Sequence, residues 1–289
     1  MNNNIPLPRG MSSFKDLLNQ LADMVFTLDT DGDIGYVNPA CSHVTGYSEK
    51  ELLQMNIFYL VDNAYQETFR NKLVNHLAGK TFPPYEIIIN AQNGEKITLE
   101  FNVARSKTAA SQQLIIGARD IRDKVSMRNK LRYLSEHDAL SGLYNRSYFE
   151  QEIKRLELEE IVPLSIIICD VNGLKLINDT MGHAQGDRII SIMGSILQEI
   201  SIPEYVTARI GGDEFAVIMP RVDEIKVGTT KTRIQNMINQ INKNDEGIYL
   251  SVAIGSFTRN SVEQPMDIVV RNADNAMYRA KLFEQMSAR

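Results

Sequence analysis

Only four residues, Gly211-Gly212-Asp213-Glu214, separate the apolar runs 206–210 and 215–219. Two strand-length segments joined so closely must be antiparallel neighbours, because parallel strands need a crossover of a dozen residues or more. A third apolar run, 164–171, passes through Ile166-Ile167-Ile168-Cys169 and meets a carboxylate at Asp170. Three acids, Asp170, Asp213 and Glu214, can therefore converge at strand ends. Such a group suits a divalent metal on a triphosphate: a few hard oxygen ligands, with phosphate oxygens completing the octahedron. Gly211 and Gly212 would let the backbone approach a ligand closely. Taken singly, each acid reads as an ordinary polar turn or strand-end residue.

Around this hairpin, strands are expected at 164–171, 206–210, 215–219 and 250–254. Helices are expected at 187–200, through Ile234, Met237 and Ile241, and at 266–282. That order implies an α+β arrangement, with helices packed on a mainly antiparallel sheet.

The first part of the chain reads differently. Residues 1–12 look like a flexible tail, followed by a helical pattern in Phe14, Leu17, Leu18 and Leu21. Strands at 24–28 and 34–37 flank the turn cluster Asp29-Thr30-Asp31-Gly32-Asp33. Ser48 and Glu51 form a capping box that starts a helix ahead of Leu52, Leu53 and Met55. A second helix spans 64–77. Strands follow at 87–90, through Ile97, Leu99, Phe101 and Val103, and at 114–118, with Asn93-Gly94 as a tight turn. Between the two parts, 122–137 is charged and helical, with Met127, Leu131 and Leu134 on one face. That stripe either packs against its own domain or pairs in a two-stranded coiled coil.

A length of 289 residues accommodates two domains of ordinary size. The hydrophobic content of 43% and charged content of 23% are those of a soluble globular protein. A net charge of −5 with scattered Lys and Arg excludes a field that collects nucleic acid, though not a small phosphorylated ligand. The two cysteines, Cys41 and Cys169, suggest neither a disulfide framework nor a zinc site. No run reaches the roughly 18 apolar residues of a membrane span, and Met1-Asn2-Asn3-Asn4 lacks the pattern of an export signal. The expectation is a soluble, cytoplasmic chain with no membrane partner.

The string Arg209-Ile210-Gly211-Gly212-Asp213-Glu214-Phe215 resembles the signature hairpin of the diguanylate cyclases. The segment from Asp170-Val171-Asn172-Gly173-Leu174-Lys175 to Gly186-Asp187 is similar to their nucleotide-binding segment. His137-Asp138-Ala139-Leu140-Ser141-Gly142-Leu143-Tyr144-Asn145-Arg146 resembles their domain entrance. This likeness covers about residues 135–282. Separately, the stretch from Asp31-Gly32-Asp33 to Asn38-Pro39-Ala40, then Thr45-Gly46-Tyr47-Ser48 and Arg119-Asp120-Ile121, resembles a PAS sensor domain, with Arg122 where that family usually has Thr. The implied order is tail 1–12, PAS domain 13–122, helical linker 123–137 and GGDEF domain 138–289. The last would have the nucleotide-cyclase and polymerase-palm type of fold.

The resemblance implies condensation of two GTP into cyclic di-GMP and pyrophosphate, with magnesium, or manganese in its place. Asp170 and Glu214 would hold the metal, assisted by the Val171 carbonyl. Asp213 would take the 3′-hydroxyl proton or help hold metal. Asn178 and Asp187 would bond the guanine edge, with His183 beside it. Leu174, Lys175 and nearby N–H groups would cradle the phosphates, and Lys281 would add a cation. One such site holds one GTP, so a homodimer with opposed catalytic domains is implied, its geometry set by the PAS domain through the linker.

Three departures stand out: Asn172 for a frequent Asp, Gln285 for the family's second phosphate-binding cation, and Ile202-Pro203-Glu204-Tyr205 where the Arg-x-x-Asp product-inhibition motif belongs. Gln285 leaves open a competing reading, a catalytically weak sensor or scaffold that binds GTP or cyclic di-GMP. The PAS ligand is not specified. Cys41 reads as a small buried hydrophobe, and His76 lies on a helix where haem-binding PAS domains often carry their ligand. A lone helical histidine is ordinarily structural, so a small metabolite, or nothing beyond a dimer contact, is expected over haem.

Overall fold

The computed structural model describes residues 14–106, 113–244 and 249–287; the expected tail lies outside them. The chain forms two compact units, divided between Asn129 and Lys130.

In the first unit the elements are α1 (Phe14–Asn19), β1 (Met24–Leu28), β2 (Ile34–Val37), α2 (Pro39–Thr45), α3 (Glu49–Leu52) and a 3-10 turn (Ile57–Tyr59). There follow α4 (Asn63–Leu77), β3 (Tyr85–Asn90), β4 (Lys96–Arg105), β5 (Leu114–Asp120) and the start of α5 (Arg122–Glu136). The strands form one antiparallel sheet in the order β2-β1-β5-β4-β3. Alternation along β1 turns Met24, Phe26 and Leu28 into a core shared with Phe69, Leu99 and Phe101. Asn38 is buried because it is satisfied: it accepts from the Val25 N–H at 2.9 Å and donates to the Leu18 and Asp23 carbonyls. The Ser48–Glu51 capping box is present, but its helix stops at Leu52, so Leu53 and Met55 lie beyond it.

The stripe on α5 does not pack against its own domain. No residue of the helix is buried, and Met127, Leu131 and Leu134 are each more than half exposed. Its first turns are held by ion pairs: Arg122 with Asp120 and Glu95, Lys124 with Glu100, and Arg128 with Glu86.

The second unit continues with α6 (Arg146–Leu158), β6 (Leu164–Val171), α7 (Leu174–Met181), α8 (His183–Ile200), β7 (Val206–Arg209) and β8 (Glu214–Pro220). It ends with α9 (Glu224–Asn244), β9 (Val252–Arg259) and α10 (Met266–Ser287). The antiparallel sheet runs β7-β8-β6-β9. Every residue of β6 is buried because helices cover both faces. Ile167, Cys169 and Val171 meet the α8 and α9 side; Ile166 and Ile168 meet the α6 and α10 side.

The second unit departs from the sequence expectation in its elements and their bounds. Helices α6 and α7 form where none was read, α8 begins at His183 instead of 187, and β9 runs from Val252 to Arg259 instead of 250–254.

Candidate functional site

The β6–β8 ladder aligns Asp170 with Glu214, which puts two carboxylates on one face at the end of the sheet. Like charges placed directly opposite are unfavourable. Burial first, then repulsion from Asp213, Asp170 and Asp274, pushes the Glu214 carboxyl above its ordinary value. Asp170 is also raised by burial, with Asp213 and Asp274 adding to it, although the Lys281 ammonium offsets part of the shift from 2.6 Å. Lys281 thus stands on the carboxylate expected to bind metal. Asp274, on α10, is a member of this acidic group that sequence reasoning missed.

Asp213 sits at the hairpin tip, its carbonyl accepting from the Val171 N–H at 2.9 Å, which ties the tip to the end of β6. The turn closes through the Ile210 and Gly211 N–H groups on the Glu214 carbonyl. A Cβ at Gly211 would lie 2.5 Å from Glu214 Oε2, so this glycine lets the acid fold back over the turn. At Gly212 the same atom would meet nothing within 4 Å, so that glycine faces open space. Arg209 clamps the loop: Nε donates to the Gly211 carbonyl at 3.2 Å, Nη2 to the Gly212 carbonyl at 2.7 Å, and Nη1 to Asp138 at 3.1 Å. Glu214 and Asp274 also line a cleft of about 650 Å³ between α6 and α10, with Phe149, Ile153 and Ile168 on its apolar floor.

After β6 the chain turns through Asn172, whose amide donates to Ser251 Oγ at 3.0 Å. Gly173, at φ 72°, reverses direction into α7, and the first N–H groups of that helix, those of Leu174 and Lys175, have no partner within it. The Leu174 side chain packs on the core, whereas Lys175 is exposed. Asn178 lies on α7, and His183 and Asp187 lie on α8, both exposed. The two helices pack closely: a Cβ at Gly186 would come within 1.9 Å of Asn178 Oδ1. That contact brings Asn178 beside the residue preceding Asp187. Gly186 was not singled out, though a glycine inside a helix signals close approach.

Hard carboxylate oxygens that repel one another suit a divalent cation, and so fit the expected metal. Among the described residues no three of His, Cys, Asp and Glu are placed to hold a metal ion by themselves. Phosphate or water oxygens would have to complete the coordination. The Gln285 side chain lies outside the described residues. Burial pushes the Cys41 thiol up to about 11 and the Cys169 thiol up to about 12, so neither is a ready nucleophile. In the first unit, His76 is buried between the Phe82 and Tyr85 rings, and the core cavity beside Cys41 is about 10 Å³, room for one water. Among the described residues no helix is long and apolar enough to cross a membrane.

The family described as "Diguanylate cyclase, GGDEF domain" matches residues 135–287, and the PAS fold matches residues 13–121. The probable diguanylate cyclase DgcE of Escherichia coli K12 is 21% identical over 230 residues, 77% of this chain and 21% of DgcE. The cyclic di-GMP phosphodiesterase PdeR of the same organism is 24% identical over 283 residues, 95% of this chain and 42% of PdeR. The chain therefore spans less than half the length of these curated relatives. The solved coiled coil and GGDEF domain of DgcB from Caulobacter crescentus, in complex with c-di-GMP, superposes with a TM-score of 0.51. It is 26% identical, over 56% of this chain and 88% of that one. With more than half its length matched by that domain, the chain belongs to the GGDEF diguanylate cyclase family and carries a PAS fold ahead of it.

Proposed function

We propose that the chain condenses two GTP molecules into cyclic di-GMP with release of two pyrophosphates. The alignment of Asp170 with Glu214, with Asp213 at the adjoining tip, carries this reading. PdeR, named a phosphodiesterase, matches nearly the whole chain, so overall likeness alone does not choose an activity. The acids do. Asp170 and Glu214, with the Val171 carbonyl, would hold magnesium, or manganese in its place, which supplies charge neutralisation at the triphosphate. Asp213 takes the proton of the 3′-hydroxyl, whose oxygen attacks the α-phosphorus of the facing nucleotide as pyrophosphate leaves. Repeating the step from the other side closes the ring.

Asn178 and Asp187 bond the guanine edge, a carboxylate accepting from the ring N–H and exocyclic amine, with His183 at the pocket mouth. The N-terminal N–H groups of α7 and Lys175 cradle phosphate. Lys281, now on Asp170 at 2.6 Å, would be the cation available to the phosphates.

Because one site holds one GTP, two catalytic domains must oppose each other, and the rate depends on how often they do. The exposed Met127, Leu131 and Leu134 supply a seam for a homodimer, and the PAS unit, with or without a small-molecule ligand, sets its geometry. Purified full-length protein incubated with GTP and magnesium should yield cyclic di-GMP, and Asp213→Ala should not. Absence of product from the unmodified chain overturns the assignment and favours a binding role. Removing residues 1–124 should slow the reaction at equal low concentration; an unchanged rate removes the regulatory part.

A further inference from the structure

Four aromatic rings form a continuous column at the entrance to the second unit. Tyr133, near the end of α5, stacks on His137 with centroids 4.0 Å apart and planes 13° from parallel. His137 lies on Tyr144 at 4.4 Å and 34°, and Tyr144 on Tyr148 of α6 at 3.8 Å and 8°. Stacked pairs contribute about 0.5–1.5 kcal/mol each beyond the area they bury. Tyr133 is 53% exposed, so burial alone does not account for this alignment. Backbone contacts reinforce it: the Asn145 N–H donates to the Glu136 carbonyl at 2.7 Å, and the Asn145 amide to the Ser135 carbonyl at 2.6 Å.

Tyr144 connects the column to the hairpin. Its N–H donates to the Thr207 carbonyl at 3.1 Å and its carbonyl accepts from the Arg209 N–H at 2.8 Å, so its backbone lies along β7. Arg209 in turn grips the carbonyls of Gly211 and Gly212. A ring-to-backbone path thus runs from α5 to the turn that bears Asp213 and Glu214, entirely within residues 130–289.

We propose that Tyr133, His137, Tyr144 and Tyr148 act as positioning residues for the reaction, the stack holding Tyr144 against β7 so that Arg209 fixes the hairpin. The rate-based part of this inference rests on the proposed cyclase activity; the structural part does not.

The test compares full-length His137→Leu, which keeps apolar bulk without a ring, with His137→Phe, which keeps the ring. Hydrogen–deuterium exchange at residues 209–214 should be about threefold or more faster in the Leu variant and unchanged in the Phe variant. With GTP, the Leu variant should lose about tenfold in kcat with KM within about twofold, and Phe should restore at least about half the rate. Unchanged hairpin exchange in His137→Leu overturns the proposal. So does a Phe variant as perturbed as Leu, which would make the contact of His137 Nδ1 with the Tyr133 carbonyl at 3.1 Å, not stacking, the operative one. Should His137→Leu fail to fold, Tyr133→Leu, which removes a half-exposed ring, carries the same comparison. If the unmodified chain makes no cyclic di-GMP, the functional assignment fails while the exchange comparison still decides the column.

Discussion

Asp170 and Glu214 face each other across two neighbouring strands, on the side of the sheet where Asp274 adds a further negative charge and Lys281 is the cation in contact. An arrangement that raises both carboxyls is unfavourable for folding at neutral pH. Glu214→Gln removes one of the opposed charges and keeps the shape. The metal-free protein should become more stable by about 0.2–1 kcal/mol, read as a thermal midpoint higher by about 1–4 °C. Cyclic di-GMP formation should fall about a hundredfold or more. A lowered midpoint would show that Glu214 makes net favourable contacts and that the repulsion argument fails.

The domain entrance makes the opposite electrostatic choice. Partial burial alone would raise the Asp138 carboxyl, but the Ser141 hydroxyl and N–H and the Arg209 guanidinium outweigh it and hold it below its ordinary value. A depressed folded value means that the unfolded chain takes up the proton first as pH falls. The contribution is therefore complete above the ordinary carboxylate range and is lost as pH drops through the folded value. Asp138→Asn should cost on the order of 1–2 kcal/mol at pH 7. The difference from the unmodified protein should shrink toward pH 3, as followed by denaturant midpoints. A difference independent of pH would assign the loss to packing.

Much of this was legible beforehand, for physical reasons that vary by element. Strand β6 was readable to its ends because a run buried on both faces has no polar interruption, and the hairpin because four residues leave no other connection. Strand β9 was cut short because Gly255 and Ser256 interrupt the apolar run and Thr258 and Arg259 are buried polar residues, which no alternation rule anticipates. Arg259 donates through Nε and Nη2 to the Gln264 and Val262 carbonyls, while Nη1 is buried without a partner. Helix α6 carries a readable signal in Phe149, Ile153 and Leu156 after the cap at Asn145, although charged residues fill most positions between them. Asp274 could not be found from local pattern: an acid on a helix looks solvated until the fold brings it beside Glu214. The Asn178–Gly186 contact likewise exists only once α7 and α8 fold against each other.

That contact sets a specificity test. Gly186→Ala places a methyl within 1.9 Å of Asn178 Oδ1, so the amide must swing away while the helix gains propensity. The KM for GTP should rise about tenfold with kcat changed less than about threefold. Asn178→Ala should do the same, and the double variant should be little worse than either alone, since both act through one group. Additive losses would separate Gly186 from guanine recognition.

Feedback by product should be weak at the place where the family usually provides it. The connection from α8 to β7 is a turn in which the Tyr205 N–H donates to the Ile202 carbonyl at 2.9 Å. Ile202 is exposed, Tyr205 leans on the core, and Glu204 adds an anion. A cyclic dinucleotide presents two phosphates, for which a bidentate guanidinium is the matching partner; a leucine-sized side chain beside a carboxylate offers none. Cyclic di-GMP at tens of micromolar should therefore leave the initial rate unchanged, and calorimetry should find no binding at micromolar or tighter affinity there. Ile202→Arg combined with Tyr205→Asp should install the missing pair and make added product slow the enzyme several-fold, at the cost of the Tyr205 packing. If the unmodified chain is already slowed, product is being recognised by other residues, and the double substitution should then leave that inhibition in place.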